Sequence, residues 1–471
     1  MKIKFCGAAR NVTGSNHIII LEDGTKIMLD CGLFQGNSHG DWPKNNRWFI
    51  PPSEIDYLVL SHAHIDHSGR IPKLVKEGFQ GKIICTHATL SLASIMLLDS
   101  AFIQETEVSQ WNRRQLKKNP KFKEFRVPLY TVEDAQDCME NFISIGYEKW
   151  FNLNNKVSIL FRDAGHILGS ASVTLKIREG RSTRMVGFTG DIGRPDRPII
   201  KNPVPMPPVD YLICESTYGD KYHNSAPEEF DKLLNIIKKT CIEKRGKLII
   251  PAFSIGRTQE IVYILDQMEN KGLLPRIPIY VDSPLAVEAT DVYRAHPECF
   301  NKDLHKYMMN DPNPFGFKNL KYVSSVEESK SLNTTSNPCI IISASGMGNA
   351  GRIKHHLFNN LGNAKNTVLI VGYCSPETPG GLLRAGKTSL RMFGEEVLVK
   401  ADIEIMDSFS AHGDKKEMLD FIINQKDTAK TVFLVHGEID VQKDFKYYLL
   451  DKGFKHIEIP QEGQEYPLYQ Q

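Results

Sequence analysis

No stretch of the 471-residue chain approaches the ~18 consecutive apolar residues of a membrane span. Its opening, MKIKFCGAARNVTG, also lacks the apolar segment of a secretory leader. There is no CxxC: the nine cysteines are scattered and odd in number, the pattern of reduced thiols rather than of a disulfide framework. Charge of one sign is missing too. Lys plus Arg number 58 and Asp plus Glu 56, a net +2, so any polyanion site must be a local patch. Repeats and linker-like low-complexity tracts are absent. These absences describe a soluble cytoplasmic protein. The length is too great for one compact core and sets two or three domains as the expectation.

What is present is concentrated. SHAHIDHSGRIP, residues 61–72, puts four metal-ligand side chains into six positions: His62, His64, Asp66 and His67. A single histidine is usually a core or surface residue with its hydrogen bonds satisfied; four at this spacing are not so explained. Two imidazoles one residue apart suit one cation, and the Asp-His pair suits a second. The apolar run IDYLVL before them reads as a buried strand and IPKLVKEG after them as a helix. The ligands therefore sit at the carboxyl end of a strand.

Short strands dominate the first 60 residues, with a hairpin turn at 22–24. Residues 88–145 read as mostly helical, with Thr131 and Asp134 placed as a helix cap. Strands return up to VDYLICE, and from about 220 the rhythm becomes strand, loop, helix, which predicts a doubly wound parallel sheet. The final segment, ADIEIMDSFSAHGD onward, reverts to the earlier style.

Four ligands are too few for two closed sites. Asp30, Asp191, Glu215 and His436 each follow an apolar strand, and His166 and His412 lie in short Gly/Ser turns, so all six could converge on one cleft. A strand-ending Asp often only caps a turn, but the set is harder to dismiss.

LDCGLFQG, SHAHIDHSGRIP, GHILGS, GDIGR, ESTYG, PAFSIGRTQE, SASGMGNAGR, SAHGD and VHGE together resemble the metallo-β-lactamase fold, and within it the β-CASP nucleases that process RNA. The likeness covers nearly the whole chain and is nearest to bacterial and archaeal relatives of the cleavage and polyadenylation endonuclease. It implies an α/β (α+β) architecture: a four-layer αββα domain from residues 1–219 and 409–471, and an inserted parallel-sheet β-CASP domain at 220–408, with the active site where they meet. It also implies two zinc ions per chain. His62, His64 and His166 would hold one and Asp66, His67 and His436 the other, with Asp191 bridging and Asp30 orienting the histidine loop. His412 resembles the family's general acid, with Glu215 on its other ring nitrogen. Two such metals can polarise a phosphodiester and generate a nucleophile near neutral pH. His436 stands where RNA-acting members carry histidine and DNA-acting members typically valine.

Residues 346–351, GMGNAG, formally match GxGxxG, with Glu377 as a ribose partner for a dinucleotide. A lone match is weak. We read Ser345, Gly346, Gly348 and Arg352, with Ser254 and Arg257 in SIGRTQE, as RNA phosphate-binding residues. WNRRQLKKNPKFKEFR, 111–126, holds seven basic residues against one acid among three aromatics: either a solvated face or a lip for single-stranded RNA.

The reading is a metal-dependent ribonuclease acting on single-stranded RNA, leaving 5′-phosphate and 3′-hydroxyl ends, with endonuclease action favoured. A 5′-to-3′ exonuclease like RNase J is the near rival. Only ~35 residues follow His436, too few for that enzyme's extra domain, and no amino-terminal RNA-binding domain precedes Asp30. More distant rivals are a thioester or lactone hydrolase and a non-catalytic RNA-binding subunit. A homodimer is compatible with this reading.

Overall fold

The computed structural model describes residues 1–36, 41–223, 229–372, 374–406 and 411–468. The chain divides into two compact units. The first comprises Met1–Asp196, Lys201–Tyr222 and His412–Gln471; the second comprises Arg197–Ile200 and His223–Ala411.

Two seven-stranded sheets form the first unit. One runs Glu465–Pro467, Lys2–Gly7, Asn16–Ile20, Lys26–Leu29, Tyr57–Val59, Lys82–Thr86 and Phe142–Ile145. The other runs Ile457–Glu458, Thr431–Val435, Tyr211–Glu215, Ser182–Phe188, Ala171–Glu179, Val157–Asp163 and Phe151–Asn152. Alternate residues face inward, as strand geometry requires. Phe5, Ile19, Leu29 and Val59 from the first sheet meet Phe161, Val173, Val186 and Phe433 from the second in a dry core. Helices supply the outer layers. Met418, Phe421, Phe445 and Leu449, from Lys415–Ile422 and Ile439–Asp451, pack with Leu212 and Leu434 behind the second sheet. The 32-residue helix His87–Lys118 lies against Lys82–Thr86 and Phe142–Ile145 of the first. This is the expected αββα arrangement.

The predicted hairpin at 22–24 joins Asn16–Ile20 to Lys26–Leu29. The predicted cap is a full capping box, Thr131 and Asp134 exchanging hydrogen bonds with each other's backbone. The region between 88 and 145 is less helical than its composition suggests. Residues 119–131 are irregular, and Phe142–Ile145 is a strand.

The second unit is built on a six-stranded, wholly parallel sheet. Its order is Leu320–Tyr322, Ile279–Val281, Cys339–Ser343, Lys247–Pro251, Thr367–Ile370 and Asp402–Ile405. Lys247–Pro251 and Cys339–Ser343 are buried at every position, which is why they read as unbroken apolar runs rather than alternating ones. Asp402–Ile405 corrects the reading of the final segment. It is the sixth, edge strand of this parallel sheet and not a return to the earlier style. All nine cysteines are buried and unbridged, as expected of thiols that serve packing. Among the described residues no helix is long and apolar enough to cross a membrane.

Candidate metal centre

The strand Tyr57–Val59 ends in a loop that delivers His62 and His64, and the short helix Ile65–Ser68 then delivers Asp66 and His67. Asp30 sets the loop's shape. It is fully buried in a left-handed conformation, φ 57°. Its carboxylate accepts the Ser61 N–H at 2.8 Å and the Ser61 and Ser15 hydroxyls at 2.9 and 3.1 Å. The remaining bond, at 2.6 Å, is to His67 Nδ1, which turns Nε2 of that ring toward the other ligands.

His166 comes from the turn after Val157–Asp163, pinned by its own N–H to Ser170 Oγ at 3.0 Å. Gly169 closes this turn at φ 82°, and a Cβ there would meet the Thr89 nitrogen at 2.5 Å. The turn thus seats on the first residues of His87–Lys118. Asp191 follows Ser182–Phe188, and His436 follows Thr431–Val435 in a left-handed conformation.

These residues form two adjoining clusters. His64 Nδ1 lies 3.1 Å from His62 Nε2 and 3.2 Å from His166 Nε2. Asp191 Oδ2 is 3.4 Å from each of those two Nε2 atoms. In the second cluster His67 Nε2 and His436 Nε2 are 3.1 Å apart, with Asp66 Oδ2 3.4 Å from His436. Asp191 Oδ1 stands 3.3 Å from His67 Nε2. One carboxylate therefore offers one oxygen to each cluster.

The donor set fits divalent metal. Four ligands at about 2.0–2.1 Å around a tetrahedral ion lie roughly 3.3 Å from one another; the distances here run from 3.1 Å to 3.9 Å, the longest between His67 Nε2 and Asp66 Oδ2. Among the described residues Asp191 Oδ1 is buried with no hydrogen-bond partner, which costs free energy unless a cation meets it. Burial lowers the His62 pKa to about 3 and that of His64 to about 4, so both rings are neutral, the form that ligates metal.

His412 adjoins both clusters. Its Nδ1 is 3.2 Å from Glu215 Oε1 and 4.0 Å from Asp191 Oδ2. Gly193 and His412 pair backbone to backbone, and the Gly413 N–H donates to Ile192 O at 2.8 Å, so the loop behind Asp191 also positions His412. Burial pulls the His412 pKa down, but the Glu215, Asp191 and Asp66 carboxylates outweigh it and hold the ring up at about 9. Residues 408–410 of its SFSAHGD turn lie outside the described residues.

Thr217 is a site residue that sequence reasoning missed. Its hydroxyl donates to Glu215 Oε2 at 2.6 Å and lies 3.0 Å from His436 Nδ1. The same atom thus fixes Glu215 and orients a candidate ligand histidine. Only its place two residues past a strand-ending glutamate hinted at this.

The candidate phosphate residues all belong to the second unit. Ser254 Oγ is 3.2 Å from Ser283 Oγ, and Arg257 is buried and paired with Glu260. Ser345 Oγ donates to Asn349 Oδ1 at 2.8 Å, and Gly346 lies beneath the Phe253 ring. Gly348 takes φ 71° in the turn. GMGNAG runs up to the N-cap of a helix, Gly351. That element starts at Arg352, whose guanidinium donates to Asp282 Oδ1 at 2.6 Å and to the Ser324 and Val323 carbonyls. Both arginines are thus engaged within the unit.

Two adjoining His/Asp clusters at strand ends of an αββα sandwich are the equipment of a metal-dependent hydrolase. The chain matches the metallo-beta-lactamase superfamily over residues 10–138. It matches the Beta-Casp domain over 258–383 and the Zn-dependent metallo-hydrolase RNA specificity domain over 396–460. It is 34% identical over 439 residues to Ribonuclease TTHA0252 of Thermus thermophilus, covering 93% of each chain. It is 31% identical over 439 residues to the RNase J-like protein of Methanocaldococcus jannaschii, covering 93% of this chain and 92% of that one. Similarity to transcription termination factor FttA of Methanosarcina mazei is 29% over 450 residues, 93% of this chain and 67% of that protein. The chain belongs to the β-CASP family of the metallo-β-lactamase fold.

Proposed function

We propose that this chain is a ribonuclease that hydrolyses single-stranded RNA to 5′-phosphate and 3′-hydroxyl ends, using two zinc ions and cutting internally. One observation carries the reading: Asp191 lends one oxygen to each of two histidine clusters, beside a His–Glu pair. His62, His64 and His166 would hold one ion, Asp66, His67 and His436 the other, and Asp191 both. When bound, the ions would supply Lewis-acid stabilisation of charge on a phosphodiester and a nucleophile at neutral pH.

The chain's own residues do the rest. Asp30 fixes the His67 ring, and Thr217 fixes Glu215 and His436. His412 is the general acid. Glu215 holds its Nδ1, which leaves Nε2 to deliver a proton to the departing 3′-oxygen. Ser254, Ser345, Gly346 and Gly348 are the groups proposed to meet RNA phosphate, with Arg257 and Arg352 bracing the two turns. Residues 1–219 with 409–471 are read as the catalytic domain and 220–408 as the β-CASP insert. The names of the Thermus ribonuclease and of the matched RNA specificity domain support RNA as substrate. Similarity to an RNase J-like protein keeps 5′-to-3′ exonuclease action as the second reading.

Zinc-loaded protein given unstructured RNA labelled at either end tests this. Internal fragments appearing from both labels at early times are expected, with loss on chelation and recovery on reloading. Mononucleotides released only from the 5′ end would assign the second reading. An identical-sequence DNA cut equally fast would remove the RNA assignment.

A further inference from the structure

We propose that the distal end of helix His87–Lys118, with the chain that folds back on it, is a second RNA-binding surface that grips substrate away from the cut. This rests on the ribonuclease reading above. The stretch 111–126 is not a loose tail. Trp111 and Phe122 pack edge to face with centroids 5.6 Å apart, Phe122 and Phe125 likewise at 5.8 Å, and the Arg126 guanidinium covers Trp111 at 4.0 Å. Asn112 clamps the returning chain twice, accepting the Arg126 N–H at 3.0 Å and donating to the Arg126 carbonyl at 2.9 Å. A small aromatic core therefore holds a prong in shape.

That core displays cations. Arg113, Arg114, Lys117, Lys118, Lys121 and Lys123 are exposed, and among the described residues none makes an ion pair. Seven basic residues against the single Glu124 give the prong a net +6 in a chain of net +2. Holding like charges together without counter-ions costs free energy that a purely solvated face has no reason to bear. Phe125 is 51% exposed in their midst. Cations tracking a backbone around an available ring are the chemistry of single-strand binding.

Position adds a length rule. Thr86 and Thr89, at the other end of this helix, both donate to Gly169 O, at 2.6 and 2.8 Å, directly behind the His166 turn. At about 1.5 Å per residue, Arg113–Lys118 lie roughly 35–45 Å along the helix from there. At about 3.4 Å per stacked nucleotide, RNA that stays stacked reaches the prong roughly ten or more nucleotides from the cut.

The test uses full-length, metal-loaded protein, an unstructured RNA of about 30 nucleotides, one of about six, and polyglutamate as competitor. In Lys117→Gln/Lys118→Gln/Lys121→Gln/Lys123→Gln, affinity for the long RNA should fall tenfold or more. Its log–log salt dependence should become shallower by about three, four phosphate contacts at ~0.7 each. Cleavage of the short RNA should keep its kcat/KM. Phe125→Ala should weaken only the long RNA, by about fivefold or more. Unchanged affinity and salt slope, or an equal loss on the short RNA, overturns the proposal. So does polyglutamate displacing the long RNA as well as unlabelled RNA of equal charge, which would assign the surface to an acidic protein. Failure of the wild type to bind or cut any RNA would instead sink the ribonuclease reading.

Discussion

At the scale of single residues, the division between His412 and the metal ligands is the sharpest expectation. His412 reaches Glu215 at 3.2 Å, while Asp191 stands at 4.0 Å, and the ring is about one-fifth exposed, where the candidate ligand histidines 62, 67, 166 and 436 are buried and His64 is half-buried. In the proposed reading it would pass a proton outward rather than close a coordination sphere. His412→Ala should therefore keep both metals by elemental analysis and lose about 10²–10⁴-fold in kcat. Metal content falling in step with activity would make His412 a ligand instead. Glu215→Gln should be milder, and combining the two should add little, as for groups acting as one unit. The sequence exposed His62, His64, Asp66 and His67 because four ligand types crowd six positions. It hid Thr217, because a hydroxyl carries no signature until the fold brings Glu215 and His436 to either side of it.

Among elements, the turn after Val157–Asp163 joins catalysis to stability. Asp163 is buried, and desolvation raises its carboxyl to about 7 against the opposing effect of the Gly165 N–H it accepts at 2.9 Å. Folding thus holds a proton that the unfolded chain, with a carboxyl near ~4, releases. The contribution is full below about pH 4 and is lost as pH rises through about 7, at most ~4 kcal/mol over the whole span. Asp163→Asn should flatten this dependence, so that the variant gains on the wild type between pH 5 and pH 8 in urea midpoints at saturating metal. Parallel curves for the two proteins would show that Asp163 does not carry it. Strand identity was legible where both faces are covered, as in Lys247–Pro251 and Cys339–Ser343. What was misread at Asp402–Ile405 was the sheet it joins, because its alternating charge is the mark of a half-covered edge and looks the same in any sheet. A left-handed glycine at 351 ends the GMGNAG turn, and periodicity cannot see where a loop stops.

Across the whole molecule, every candidate ligand lies in the first unit, yet the ligands come from both of its sheets. His62, His64, Asp66 and His67 hang from the first sheet, and His166, Asp191 and His436 from the second. Metal binding would therefore tie the two faces of the sandwich together at one end, where the apolar core stops. Without metal, Asp191 Oδ1 and His166 Nδ1 are buried polar atoms with no hydrogen-bond partner among the described residues, a standing cost to the folded state. Ions that bind only the folded form stabilise it by mass action, about 4 kcal/mol when free metal is a thousandfold above its dissociation constant. Chelation should thus speed amide exchange in Tyr57–Val59, Ser182–Phe188, Tyr211–Glu215 and Thr431–Val435. Lys247–Pro251 and Cys339–Ser343, in the unit that supplies no ligand, should keep their protection. Hydrogen exchange read by mass spectrometry before and after chelation, then after reloading with zinc, checks this. Uniform deprotection of both units would mean that the metals stabilise more than the sandwich that holds them, and no change anywhere would mean that the clusters bind too weakly to matter for the fold.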